Sequence, residues 1–254
     1  MLGVKIEVDC PVEQTMKLRL LCLHSFRLSG DALRKQMAVF SNFASSIDDI
    51  CELHYMDGSL RCDAEAVGKI PPMLKKAFGP PYYEWWRARQ HHDSDALVYD
   101  GMQATLDKVA AHVAAEGPFD GVLGFSQGGS LAHLLCVLAQ RGAISMPPSQ
   151  FCVVISGRAS RHHEHLELME AARKVPLKLP LCVIYGGKDT EVPPQETRAL
   201  METIDEASLC TIFLPEGGHR VPNLNEAQAQ AVRAFLEARR EQMERANLEM
   251  CMGV

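Results

Sequence analysis

Short, almost entirely apolar runs alternate along the chain with longer segments in which apolar residues recur every three or four positions. The first pattern is typical of strands buried on both faces of a parallel sheet, and the second is typical of helices that cover such a sheet. The predicted strands are 18–23, 49–56, a strand that ends at 122–123, 151–155, 181–185 and 208–214. The predicted helices are 31–43, 101–116, 130–140, 161–174, 195–204 and one from about 225 onwards.

This alternation predicts an α/β fold with a mostly parallel central sheet and helices on both faces, formed by a single domain over residues 1–254. Residues 1–17 are expected to form either a loose arm or an edge strand over 4–8. The last residues, from about 240 to 254, are interpreted as a helix end or a tail.

Residues 59–100 break the alternation. The segment contains Pro71-Pro72, Gly79-Pro80-Pro81 and the pairs Tyr82-Tyr83 and Trp85-Trp86. It is too long for a simple connection in a compact domain, so we interpret it as an insertion or lid. The two tryptophans either line an apolar substrate pocket or anchor the insertion onto the domain, and both interpretations stay open.

The segment Gly124-Phe125-Ser126-Gln127-Gly128 has the form G-x-S-x-G and joins an apolar strand to a helical segment. This context is that of a nucleophile elbow, in which a serine occupies a sharp turn. Gly124 and Gly128 are expected because the chain passes close to itself there and side chains would clash. Ser126 is therefore the predicted nucleophile.

A serine nucleophile needs a base, and the base needs an acid that orients it; in this type of sheet the chain order is Ser, acid, His. His219 follows a strand through Gly217-Gly218, and Asp189 lies in the loop after another strand. Asp205 lies at a helix end, and Glu191 is a weaker alternative acid. The predicted triad is Ser126, Asp189 and His219.

An oxyanion hole needs backbone N–H groups beside the reacting carbonyl. The predicted donors are Gln127, directly after the nucleophile, and Phe26, in the loop after the first strand. The surrounding substrate pocket is expected to involve residues of the strand-end loops and of the insertion, namely His24, Ser25, Trp85, Trp86, Val192 and Val221.

Two histidine-rich segments could suggest a metal site. His162 and His165 would share one face of a helix, but no matching set of cysteines or carboxylates accompanies them. We interpret Arg161 to His165 as a solvated helix face, view His91-His92 in the same way, and predict no metal site and no cofactor.

Composition narrows the class of partner. The net charge is −6, and basic residues are scattered rather than clustered, which argues against a nucleic-acid partner. No apolar run has the length of a membrane span. The nine cysteines lie mostly in apolar runs without a C-x-x-C pair, which favours buried thiols over disulfides. Reduced thiols in turn favour a cytoplasmic location.

Several of these segments together resemble the FSH1/OVCA2-type serine hydrolases of the α/β-hydrolase superfamily. They are Leu21-Cys22-Leu23-His24-x-Phe26, Trp85-Trp86, 117–129 with the elbow, Ile155-Ser156-Gly157, Gly186-Gly187-Lys188-Asp189 with Val192-Pro193, and Gly217-Gly218-His219-x-Val221-Pro222. The resemblance extends from about residue 18 to residue 240 and implies the same triad without a cofactor. Ser25 departs from it, because that family usually has glycine there.

The expected function is hydrolysis of a small-molecule carboxylic ester or thioester with an apolar acyl or alkyl chain, through an acyl-enzyme. The elbow is also similar to that of acyl-protein thioesterases, whereas nothing indicates recognition of a peptide. A ligand-binding protein on a hydrolase scaffold, with slow or no turnover, is the alternative from another class.

Overall fold

A computed structural model of the protein describes residues 16–92, 96–144 and 150–252. The predicted edge strand over 4–8 lies outside these residues. The strands are β1 Leu18–Leu23, β2 Cys51–Met56, β3 Leu60–Arg61, β4 Tyr83–Glu84, β5 Arg87–Gln90, β6 Leu97–Asp100, β7 Gly121–Phe125, β8 Phe151–Ile155, β9 Leu181–Gly186 and β10 Leu209–Leu214. The helices are α1 Gly30–Ala38, α2 Ala64–Gly68, α3 Pro72–Phe78, α4 Met102–Glu116, α5 Gln127–Gln140, α6 Leu166–Lys174, α7 Pro194–Met201 and α8 Glu226–Met252.

Six strands form the central sheet in the order β10-β9-β8-β7-β1-β2, and every neighbouring pair is parallel. The predicted parallel sheet is therefore confirmed. In its registers Leu23 of β1 lies opposite Gly124 of β7, and Phe125 of β7 lies opposite Ile155 of β8. The carboxyl ends of these strands consequently lie side by side, and the loops that leave them can meet.

Apolar side chains cover both faces of the sheet. On one face, α4, α5, α6 and α7 contribute residues such as Val109, Leu131, Met169 and Leu200 to the core. On the other face, α1 and α8 contribute residues such as Leu33 and Val232. Strands that are apolar on both sides, as in β7 and β8, satisfy this two-sided burial.

Helix α7 ends at Met201 rather than at residue 204, and three other predicted helix boundaries are wrong for local reasons. Helix α1 ends at Ala38 rather than near residue 43; beyond it, the Ser41 hydroxyl donates to the Met37 carbonyl and accepts the Phe43 N–H, which competes with helical bonding. Helix α5 begins directly after Ser126 instead of at residue 130. Helix α6 begins only at Leu166, because residues His163–His165 form a 3-10 turn.

The segment 59–100 contains short elements that its sequence pattern does not reveal. Strands β3 and β4 pair in one antiparallel ladder, β5 and β6 pair in another, and α2 and α3 lie between β3 and β4. Tyr83 of β4 joins the segment to the loop after β1 through an isolated bridge with Leu28. Among the described helices, none is sufficiently long and apolar to traverse a bilayer.

Candidate active site

Ser126 occupies a strained turn between β7 and α5, with φ of +57°. Its N–H donates to the Ile155 carbonyl at 2.9 Å, which fixes the turn against β8. A Cβ at Gly124 would overlap the backbone carbonyl of Gly128, and a Cβ at Gly128 would overlap the carbonyl oxygen of Leu23. The two glycines therefore allow the strand, the turn and the helix to pack at backbone contact.

The loops that carry Asp189 and His219 leave the neighbouring strands β9 and β10 and bond to each other. The Gly187 N–H donates to the Leu214 carbonyl at 2.8 Å, and the Lys188 N–H donates to the Gly217 carbonyl at 2.8 Å. These backbone bonds fix the relative position of the acid and the histidine.

The predicted triad residues lie in hydrogen-bond contact. The His219 Nε2 atom lies 2.8 Å from the Ser126 hydroxyl oxygen, and His219 Nδ1 lies 2.8 Å from Asp189 Oδ2. The buried Asp189 carboxylate also accepts N–H bonds from Glu191 at 3.0 Å and Val192 at 2.8 Å, both at Oδ1. With Oδ1 occupied, Oδ2 is left to accept the Nδ1 proton, and Nε2 can accept the serine proton.

The other acids considered lie elsewhere. Asp205 caps the short turn before β10, where it accepts the Ala207 N–H at 3.0 Å. The Glu191 side chain is exposed, and its backbone carbonyl accepts a bond from the Arg158 guanidinium.

The loop after β1 makes a tight turn beside the elbow. The Leu28 N–H donates to the Ser25 carbonyl at 3.3 Å, and Arg27 has a left-handed backbone with φ of +56°. Among the described residues, none accepts the backbone N–H of Phe26 or Gln127. Phe26 follows β1 and Gln127 follows β7, and these two strands are neighbours in the sheet.

His24 is a buried support of this loop and not part of a pocket wall, which corrects the sequence prediction. Its Nδ1 donates to the Ser25 carbonyl at 2.7 Å, and its Nε2 accepts the Gly58 N–H at 2.9 Å. Burial lowers the pKa of His24 from 6.5 to about 4. The neutral ring therefore connects the turn to the chain after β2.

The other predicted pocket residues are also buried. Ser25, Trp86, Val192 and Val221 are at most 6% exposed, and Trp85 has no exposed surface. Trp85 stacks on His24 with a ring separation of 4.8 Å, and its Nε1–H donates to the His24 carbonyl at 2.8 Å. Trp85 thus matches the second interpretation of the tryptophans, as an anchor of the insertion.

Two polar side chains whose roles the sequence pattern does not reveal connect the site to the insertion. The Gln127 side chain accepts the Trp85 N–H at 3.1 Å and donates to the Trp86 carbonyl at 2.9 Å. The buried Glu84 carboxylate accepts bonds from Arg27 and Arg87, each at 2.7 Å. The only sequence signal for Glu84 is an acidic residue flanked by aromatic residues.

The prediction that Arg161 to His165 form a solvated helix face is wrong for two of the histidines. His162 and His165 are 4% and 7% exposed, because the segment packs against the insertion before α6 begins. One side-chain nitrogen or carboxylate oxygen of each of His162, His163 and Glu164 could bind a metal ion, and these three atoms lie within 4.8 Å of one another. These three residues are the group in the described chain that could hold a metal ion.

The fully parallel sheet, with helices on both faces and a serine on a tight turn between strand and helix, defines an α/β-hydrolase. A family model described as "Serine hydrolase (FSH1)" matches residues 14–231. The chain belongs to this serine hydrolase family, as the sequence resemblance predicts.

Curated relatives carry the name of an esterase. "Esterase OVCA2" of Bos taurus is 32% identical over 228 residues, which cover 87% of this chain and 96% of the relative. "Esterase OVCA2" of Homo sapiens is 31% identical over 230 residues, which cover 87% of this chain and 96% of that relative.

Solved structures share the fold at low identity. Arabidopsis thaliana SOBER1 aligns with a TM-score of 0.54 at 18% identity, covering 88% of this chain and 99% of that one. Zea mays acyl-protein thioesterase 2 aligns with a TM-score of 0.51 at 19% identity, covering 89% and 95%. These likenesses show the fold alone.

Proposed function

We propose that this chain hydrolyses carboxylic esters or thioesters that carry an apolar acyl or alkyl chain, through an acyl-enzyme on Ser126. The observation that supports this most is the pair of 2.8 Å contacts that join Ser126, His219 and Asp189. Such a series lets a histidine accept the serine proton while a carboxylate holds its tautomer.

In the first half-reaction, His219 Nε2 takes the Ser126 proton while Oγ attacks the substrate carbonyl carbon. The N–H groups of Gln127 and Phe26 stabilise the negative oxygen of the tetrahedral intermediate. As the intermediate collapses, the leaving alcohol or thiol takes the proton from His219, and the acyl group stays on Ser126. In the second half-reaction, His219 takes a proton from water while the water oxygen attacks the acyl carbon. As this intermediate collapses, Ser126 Oγ takes the proton from His219, and the carboxylic acid leaves.

The apolar character of the substrate is supported by Phe26. Its side chain is 43% exposed next to one proposed oxyanion donor, where burial against an acyl or alkyl chain would be favourable. The names of the relatives support ester chemistry, and the fold shared with Zea mays acyl-protein thioesterase 2 supports a thioester as the second substrate class.

The test is hydrolysis of p-nitrophenyl esters from short to long acyl chains, together with a matched thioester, by wild type and Ser126→Ala. We expect hydrolysis to fall to background in the variant, and the optimum chain length to report the size of the acyl site. Ser45→Ala, which removes an exposed hydroxyl away from the elbow, is the control and should match wild type. If wild type is no faster than Ser126→Ala on every substrate, ligand binding without turnover replaces this proposal.

A further inference from the structure

The histidine segment before α6 is joined to the insertion at β6. The Leu97 N–H donates to the Arg161 carbonyl at 3.1 Å, and the Nδ1–H of His162 donates to the Leu97 carbonyl at 3.1 Å. The His162 ring also stacks on Tyr99 of β6, with ring centres 5.1 Å apart. None of these contacts is used by the proposed hydrolysis.

The hydrogen bond to the Leu97 carbonyl determines the tautomer of His162 and places its Nε2 atom opposite a second hydrogen-bond acceptor. A carbonyl oxygen can only accept, so Nδ1 must carry a proton, and in the neutral ring Nε2 then presents a lone pair. That lone pair faces an acceptor, because Nε2 lies 3.4 Å from the Glu164 carboxylate oxygen Oε2. Two acceptors at this distance repel each other unless a cation, either a proton or a metal ion, lies between them.

We propose that His162, His163 and Glu164 bind a divalent transition-metal ion such as Zn²⁺. Imidazole nitrogen and carboxylate oxygen are among the ligands that Zn²⁺ takes in proteins. Ligand atoms about 2.0–2.2 Å from a tetrahedral ion lie about 3.4 Å from one another. The separation of His162 Nε2 and Glu164 Oε2 therefore suits two ligands of one ion, and water can complete the coordination.

The supports of the site also suit a metal ligand. A metal-binding histidine usually donates its other N–H to a carbonyl or carboxylate, which fixes the ring, and Leu97 provides that carbonyl here. His162 is held further by burial, since its side chain is 5% exposed, whereas the Glu164 side chain is 69% exposed and can adjust. The nearby Arg161 guanidinium lies 3.7 Å from the Glu196 carboxylate, a partner outside the three ligands.

The proposed ion would stabilise the junction between the insertion and the main domain. His162 is bonded to β6, and the ring of His163 lies 5.0 Å from that of His91, which follows β5. An ion bound to folded but not to unfolded protein raises the unfolding temperature as its concentration exceeds the dissociation constant. This effect does not require Ser126, so it can be measured separately from hydrolysis.

The test is calorimetric titration of the metal-free full chain with Zn²⁺, with thermal unfolding and the visible spectrum of the Co²⁺-loaded protein as further readouts. We expect His163→Ala and Glu164→Gln each to raise the Zn²⁺ dissociation constant at least tenfold and to reduce the tetrahedral Co²⁺ absorption. Glu167→Gln and His112→Ala, which remove an exposed carboxylate and an imidazole that stacks on Phe119, should match wild type. The seven free cysteines described are unchanged in all these variants, so thiol binding cancels in the comparison.

The same titration of Ser126→Ala should retain the site, which separates this proposal from the proposed function. Equal Zn²⁺ affinity in wild type, His163→Ala and Glu164→Gln would overturn the proposal. A wild-type protein without heat of binding or thermal shift in millimolar Zn²⁺ would also overturn it.

Discussion

At the scale of single residues, Glu84 stabilises the turn that carries Phe26. Its carboxylate is fully buried between the Arg27 and Arg87 guanidinium groups. Arg27 has a left-handed backbone, which costs a residue other than glycine roughly 1–2 kcal/mol. The ion pair with Glu84 offsets this strain, and it fixes the turn whose N–H is a proposed oxyanion donor.

We predict that Glu84→Gln lowers kcat about 10-fold to 100-fold with little change in KM. The amide keeps the shape of the side chain but removes the charge that both arginines need, so the Phe26 N–H loses its fixed position. The measurement is steady-state kinetics on a p-nitrophenyl ester, with thermal unfolding to verify that the variant is folded.

The matched control for this variant is Glu65→Gln in α2, whose carboxylate pairs with Lys69 at an exposed position. Exposed pairs contribute little, so this variant should behave as wild type. A Glu84→Gln enzyme with wild-type kcat would show that Glu84 does not position the turn.

The proposed triad could be predicted from the sequence because its chemistry restricts both residue type and chain order. Ser126, Asp189 and His219 each follow an apolar run that ends at the same edge of a parallel sheet. Glu84 and the Gln127 side chain could not be predicted, because their partners depend on the path of the insertion. Glu84 bonds to Arg27, which lies 57 residues away along the chain.

At the scale of elements, the contact between α5 and β1 depends on Gly128. We predict that Gly128→Ala unfolds the elbow locally and lowers hydrolysis to near background, because its Cβ would overlap the Leu23 and His24 carbonyl groups. Gly68→Ala in α2 is the control, since no atom outside its own helical turn lies within 4 Å of the position that its Cβ would take.

Both glycine variants are compared by thermal unfolding and by ester hydrolysis. Gly68→Ala should keep wild-type activity, and Gly128→Ala should lose several degrees of unfolding temperature. Equal stability and activity of the two variants would contradict the close backbone contact at the elbow.

The central strands could be predicted to within two residues because continuous apolar runs of five or six residues have few other interpretations. The insertion could not. Strands β3 and β4 have two residues each, and β5 is exposed along its whole length, so neither periodicity nor apolar content marks them. Proline and paired aromatic residues indicate that the alternation stops but do not indicate which pairs form.

At the scale of the whole molecule, buried histidines such as His24 and His133 make stability depend on pH. Burial lowers the pKa of His24 and of His133 from 6.5 to about 4. Below pH 6.5 the unfolded chain binds protons that the folded protein does not, so the stabilisation is fully present above pH 6.5 and is lost as the pH falls towards 4. Each of these two histidines lowers the free energy of unfolding by about 2 kcal/mol as the pH falls from 7 to 5.

The variant His133→Leu tests this dependence. His133 bonds to Thr203 through Nε2 at 2.7 Å, and its buried Nδ1 has no partner among the described residues. We predict that the loss of unfolding free energy between pH 7 and pH 5, measured in urea, is about 2 kcal/mol smaller in this variant. An unchanged difference would show that His133 is protonated equally in both states.

The most direct test of the account is the site and rate of labelling by a fluorophosphonate, followed by intact mass and peptide mapping. We predict one adduct on Ser126 in wild type, none in Ser126→Ala, and labelling about 10³-fold to 10⁴-fold slower in Asp189→Asn. That loss is expected because the amide no longer holds His219 with Nε2 free to accept the serine proton. An adduct on another residue, or equal labelling of wild type and Ser126→Ala, would contradict the assignment of Ser126 as the nucleophile.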